Sequence, residues 1–351
     1  MTVTDMPIAV GLALGHPEAP LESDDDSPAE EGLWADRFSS GGSVFDLPPG
    51  CPAVWGDGQN VLWAEGEGLM IAALQGTGKT TIAQQLVLHG IGVRRGDFVG
   101  HPVKEMSKVL YLAMDRPQQA QRSFKRMVEP SDRAALDERL VIWKGPPPAS
   151  VIQQPELLVI MAQSQDADVL VIDSLKDLAP GLSKDEVGAS VNSAFQMVIA
   201  AGIELVVLNH NRKPPQDSSK KGTPDIGDVY GSTWLSSGMG SVLMITGKPG
   251  DTTVGLNHLK QPAEVVGPLR LKHDHPKGKT TIDEDSADPY TILKAKKSAT
   301  AQQVAAAWFG TNSPSRTEIQ RTRRERDKLA DKGHAERFKD DLGVTYQSKR
   351  R

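Results

Sequence analysis

The feature that most constrains the fold is a series of short apolar runs with amphipathic stretches between them. From residue 68 to residue 210 the chain contains GLMIA, KVLYLAMD, RLVIWKG, DVLVIDSL and IELVVLNH, each the length of one buried strand. Between them TIAQQLVLHG, RPQQAQRSFKRMVE, PELLVIMAQSQ and VNSAFQMVIAAG carry apolar residues at helical spacing, as in Ile82 with Leu86 and Ala83 with Val87. Strands apolar on both faces, alternating with amphipathic helices, predict an α/β architecture with a mainly parallel sheet flanked by helices.

The flanks differ in composition. Residues 1–40 are rich in Pro, Ser, Asp and Glu, with no Lys or Arg before Gly32, and read as a disordered acidic tail. Residues 41–285 hold the α/β domain: the stretch from Ser43 to Ala73 suggests a small antiparallel ribbon feeding a buried strand, and GSVLMITG, TVGLNHLK, GPLRLKHDH and KTTID suggest strands closing the sheet edge. DEDSADP reads as a linker, and residues 286–351 form a basic segment with two helices and a hairpin turning near Asp341 to Gly343. Cys51 is the only cysteine among the 351 residues, so no intrachain disulfide and no cysteine-built zinc site is available. No apolar run approaches the roughly 20 residues that span a bilayer, and no signal peptide is recognisable, so the expected location is the cytoplasm, away from membranes.

ALQGTGKTT follows the first apolar run and opens the first helix, and its Ala73 to Thr80 segment fits [AG]-x-x-x-x-G-K-[ST]. Backbone N–H groups of such a loop wrap phosphates, and the helix N-terminus adds partial positive charge. The expected cradle for ATP is Ala73, Gln75, Gly76, Thr77, Gly78, Lys79, Thr80 and Thr81, with Lys79 neutralising phosphate oxygens and the Thr80 hydroxyl reaching Mg²⁺. A second magnesium-holding carboxylate is needed at the end of a buried strand, and Asp173 in VLVIDS supplies it; the plainer role is a helix cap, for which Ser174 serves too. Asp115 in YLAMDRP is placed to orient or deprotonate the attacking water, against the alternative of capping before Pro117. Asn209, ending LVVLNH, is a candidate γ-phosphate contact; His210 is its alternative.

The order ALQGTGKTT, YLAMDRP, VLVIDSL, VVLNHNRK, GSTWLSS resembles the RecA-like P-loop ATPases, in particular the hexameric replicative helicases of the RepA and DnaB type. The resemblance extends from about Val44 to Asp283. It implies a homo-oligomeric ring, a hexamer, with ATP sites between subunits and central loops gripping single-stranded DNA. The channel loop would be Arg212 to Gly231, with Arg212, Lys213, Lys220 and Lys221 as its cations; a solvated loop is the plainer reading. Such rings insert a Lys-x-Arg pair into the neighbouring site. Here Lys260 matches the lysine but Pro262 stands at the arginine, leaving open whether Arg270 substitutes.

In the C-terminal segment Ser315 and Glu318 form a capping box, and Gly333 ends the helix they open. Ile319, Thr322, Leu329 and Ala330 make one apolar face, with Arg316, Arg321, Arg323, Arg324 and Lys328 largely outside it. With the helix through Val304 and Trp308 and the hairpin ending at Tyr346, this resembles a winged-helix module that would contact duplex DNA. The sequence therefore points to a DNA-dependent ATPase with ATP and Mg²⁺, a helicase or helicase-like motor from a phage, plasmid or mobile element. The alternative is an ATP-switched DNA-binding protein without unwinding activity; a small-molecule kinase is disfavoured because no arginine-rich lid follows the nucleotide motifs.

Overall fold

The computed structural model describes residues 38–212, 224–283, 289, 292–293, 298–309, 313–331, 335–340 and 343–348. The acidic tail up to residue 37, Lys213, Lys220, Lys221 and most of the DEDSADP linker lie outside the described residues. Two compact units divide at Leu47 and Pro48. Of the first, the described part is a short 3-10 turn, Gly41–Asp46, with no buried residue.

The second unit begins with an antiparallel ribbon, β1 (Ala53–Asp57) and β2 (Asn60–Ala64). The chain then enters β3 (Leu69–Ala73), α1 (Lys79–Gly90), β4 (Val109–Ala113), α2 (Pro117–Lys125), α3 (Arg133–Arg139) and β5 (Leu140–Lys144). α4 (Leu157–Gln163), β6 (Val169–Asp173), α5 (Leu175–Leu178), α6 (Asp185–Ala200), β7 (Glu204–His210), α7 (Thr233–Ser237) and β8 (Ser241–Thr246) follow. Three further strands, β9 (Thr253–Lys260), β10 (Leu269–Asp274) and β11 (Lys279–Ile282), complete a nine-stranded sheet ordered β11-β10-β9-β8-β3-β7-β6-β4-β5.

All pairs from β8 to β5 are parallel, whereas β8–β9, β9–β10 and β10–β11 are antiparallel. The strand carrying the phosphate loop thus has β7 between it and β6. β8 was expected among the edge strands; instead it runs parallel beside β3 with five of its six residues buried. Its continuous SVLMI run is that of a strand buried on both faces.

Strand residues alternate between two apolar layers. Leu69, Ile71, Val109, Tyr111, Val169 and Val171 pack under α1 and α2, while Met70, Leu110, Leu112, Leu170 and Ile172 pack under α4, α6 and α7. This parity decides which face each strand-end side chain takes. Among the described residues no helix is long and apolar enough to cross a membrane.

Beyond the sheet, β12 (Ser298–Thr300), α8 (Ala301–Phe309), α9 (Arg316–Asp331), β13 (Ala335–Asp340) and β14 (Gly343–Ser348) enclose a separate apolar cluster around Val304, Trp308 and Tyr346. β12 pairs with β14, and β14 with β13. Both bonds of the expected capping box are present, Glu318 N–H to Ser315 Oγ at 3.3 Å and Ser315 N–H to Glu318 Oε2 at 2.7 Å. On the inward face of α9 Thr322 is fully buried and Leu329 and Ala330 pack against the cluster, as expected, and Arg326, which was not expected there, is fully buried beside them. The Arg326 guanidinium lies 3.8 Å over the Tyr346 ring and donates to the Ala299 carbonyl at 2.6 Å, so one arginine of the basic helix holds the module together.

Candidate nucleotide site

The phosphate loop leaves β3 at the carboxyl end of the parallel strands. Thr77 closes a tight turn onto the Leu74 carbonyl through both its N–H and its hydroxyl, at 3.4 and 2.8 Å. Gly76 and Gly78 sit at φ +79° and +98°, conformations that a side chain would strain, and Gly78 is the left-handed N-cap from which α1 starts. The loop opens into a cleft of ≈ 730 Å³ whose wall includes Gln75, Gly76, Gly78, Lys79, Thr80 and Thr81. Ala73 and Thr77, also expected in the cradle, are not part of that wall. Ala73 is buried in the strand, and the Thr77 hydroxyl is committed to Leu74.

Asp173 ends β6 with the parity of Val171 and so emerges on the α1 side. The Thr80 hydroxyl donates to its Oδ1 at 3.4 Å, and the Tyr111 hydroxyl to its Oδ2 at 2.7 Å. Burial raises the Asp173 pKa, opposed by the Tyr111 hydrogen bond and by Lys79. Burial likewise lowers the Lys79 pKa, while Asp173, Asp177 and Asp115 pull it back up. A hydroxyl and a carboxylate this close, beside a lysine and glycine N–H groups, are the donor set that a magnesium triphosphate needs, so Thr80 and Asp173 fit the metal and the loop fits the phosphates. Ser174, the alternative cap, donates to Asp177 Oδ2 at 2.8 Å.

Asp115 also lines the cleft, with a well exposed side chain 3.5 Å from Arg116. Asn209 does not line it. Its side chain is buried toward the other layer, donating to the Tyr230 carbonyl at 2.9 Å and accepting the His210 N–H at 2.8 Å, which corrects the γ-phosphate assignment. His210, the next residue, lines the cleft in its place, with its pKa lowered to about 4 by burial and by Lys79 and Lys176, so the ring is neutral at physiological pH.

Lys260 lies at the opposite end of the sheet. It pairs in register with Val242 near the start of β8, and its Nζ donates to the Ser237 carbonyl at 2.7 Å. Arg270 is held by Asp283 at 3.3 Å and does not line the cleft. Arg212 is exposed, but its guanidinium bonds the Val229 and Gly231 carbonyls at 3.2 and 3.0 Å, tying together the two ends of the loop it begins. On α9, Arg316, Arg323, Arg324 and Lys328 are exposed, Lys328 pairs with Glu325 at 3.0 Å, and Arg321 is half-buried 5.4 Å from the Trp308 ring.

Sequence reasoning missed Tyr111, which holds Asp173, and in the cleft wall Asp177 and four side chains on α2 and its two caps: Arg116, Gln119, Arg122 and Arg126. Their spacing of three to four residues was a readable helical stripe. His275, from the turn after β10, also lines the cleft, and no local pattern announces a residue so far along the chain.

Residues 53–216 match the family model described as AAA domain. No curated protein matches the sequence. Among solved structures, the chain is similar to a KaiC-like protein from the hyperthermophilic archaeon Pyrococcus horikoshii, at 15% identity and a TM-score of 0.42, covering 62% of this chain and 90% of that one. The loop, the carboxylate beside it and the order of the parallel strands agree with that match to an AAA domain over residues 53–216.

Proposed function

We propose that this protein is a DNA-dependent ATPase, a ring-forming motor that couples ATP hydrolysis to movement on single-stranded DNA. The observation that carries the ATPase part is the meeting of Thr80 with Asp173 at 3.4 Å inside a cleft that also holds Lys79 and Asp115. Lys79 and the glycine N–H groups bind and orient the triphosphate, and Thr80 and Asp173 would hold magnesium, which neutralises charge developing on the phosphates. Asp115, exposed across the cleft, orients water and accepts its proton.

The DNA part rests on charge and layout. Three arginines of α9 are exposed, and the succession of β12, two helices and a hairpin resembles that of a winged-helix module, which supports the DNA reading. Lys260 lies too far from its own phosphate loop to serve it, so a contribution to ATP turnover requires a neighbouring subunit. This favours a ring, with a hexamer as the form implied by the helicase resemblance.

The second reading, an ATP-switched duplex-binding protein, draws support from Pro262 at the finger position and from the pairing of Arg270 with Asp283. ATP turnover with and without single-stranded DNA separates the two. The motor predicts stimulation of about tenfold or more; duplex binding with unstimulated turnover overturns it in favour of the switch.

A further inference from the structure

The antiparallel extension of the sheet folds back onto the phosphate loop at two places. In the turn between β8 and β9, the Gly250 N–H donates to the Gly76 carbonyl at 3.1 Å, and Pro249 packs against Gly76. The second contact comes from His273 on β10, a residue no nucleotide motif contains. Its ring lies against Gly78 so closely that a Cβ added there would stand 2.7 Å from Nε2. His273 is 6% exposed, and its Nε2 is buried without a hydrogen-bond partner.

A hydrogen-bond chain on the far side of the ring matches one of its two tautomers. The Gln85 amide of α1 is oriented unambiguously: its Oε1 accepts the Thr280 N–H at 2.8 Å, so its Nε2 donates to the Thr280 hydroxyl at 2.9 Å. The Thr280 hydroxyl, having accepted from Gln85, keeps its own hydrogen for His273 Nδ1, 2.8 Å away, in the Nε2–H tautomer. With Nδ1 accepting and burial keeping the ring neutral, the proton resides on Nε2, on the side of the phosphate loop. The backbone beside Nε2 there is that of Gly78, whose N–H shares a peptide with the Thr77 carbonyl.

We propose that His273 is a positioning residue of the phosphate loop: its Nε2–H, buried against Gly78 with no other partner among the described residues, faces the Thr77–Gly78 peptide and, on taking the Thr77 carbonyl, aims the Gly78 N–H at the bound phosphate. The C=O and N–H of one trans peptide point in opposite directions, so securing the carbonyl on the His273 side turns the N–H toward the cleft, whose wall Gly78 joins. Together with Gly250 holding Gly76, this braces two consecutive loop carbonyls from outside the nucleotide motifs. The inference rests on the loop being a triphosphate site.

The test is binding of a non-hydrolysable magnesium ATP analogue to the full chain, comparing the parent with His273→Gln and His273→Asn. The glutamine amide reaches the place of Nε2 and the asparagine amide does not. The expected result is affinity within about threefold of the parent for His273→Gln and a loss of about tenfold or more for His273→Asn, with equal melting temperatures without nucleotide. A nitrogen NMR spectrum of the parent should show the Nε2–H tautomer, and Thr280→Val should abolish its dominance. Parent-like affinity of His273→Asn, equal weakness of both variants at equal melting temperature, or an Nδ1–H tautomer overturns the proposal while leaving the triphosphate reading intact. Failure of the parent itself to bind the analogue overturns both.

Discussion

His258 is held neutral by burial, its Nε2 2.9 Å from the Ser241 hydroxyl and its pKa lowered to about 4. A histidine whose folded pKa is depressed binds fewer protons folded than unfolded, so stability falls as pH drops from the unfolded value near 6.5 through 4. The loss attributable to this ring approaches roughly 3 kcal/mol, and His258→Gln should remove that part of the acid lability. Melting temperatures recorded between pH 7 and pH 4 check it; equal slopes for parent and variant would contradict it. Residue identity in the nucleotide cleft was legible only where a motif fixed it. Lys79, Thr80 and Asp173 were found because loop and strand end are read together, and they do converge. Asn209 was preferred to its alternative His210, which lines the cleft, because successive strand residues face opposite layers and composition does not reveal which of two polar neighbours turns inward. His273 and His275 were invisible because only the tertiary fold brings the β10 hairpin beside Gly78.

At the level of elements, period and caps carried most of the information. α1 begins at the lysine of its loop and ends at Gly90 as expected, and the capping box opens α9 where Ser315 and Glu318 place it. The short α3, α5 and α7 lacked a long enough periodic pattern to be recognised. α9 shows why a charge count misleads, since Arg326 is wholly buried under Tyr346 and the arginines around it divide between roles. Replacing Arg316, Arg323 and Arg324 together by alanine should weaken duplex binding and reduce its salt slope by roughly 0.9 per lost phosphate contact, with the melting temperature unchanged. Arg326→Ala should lower the melting temperature instead. Salt titrations of binding by fluorescence anisotropy, beside thermal melts, separate these effects; an unaltered salt slope in the triple variant would remove α9 from the DNA interface.

For the whole molecule, the sheet order places every nucleotide motif at the carboxyl edge of the parallel strands, with Lys260 at the other edge. The proposed ring therefore requires the phosphate loop of one copy to meet Lys260 of another. The alternation of apolar runs made the parallel core legible, whereas the antiparallel extension that braces the phosphate loop read only as edge strands. Its contact with the loop depends on how those strands curl, which sequence alone does not specify. The most direct test of the central claim is calorimetric titration of the full chain with a non-hydrolysable ATP analogue, with and without Mg²⁺, for the parent, Lys79→Ala and Asp173→Asn. The account predicts magnesium-strengthened binding by the parent, none detectable by Lys79→Ala, and loss of the magnesium dependence in Asp173→Asn; equal binding by all three, or none by the parent, would contradict it.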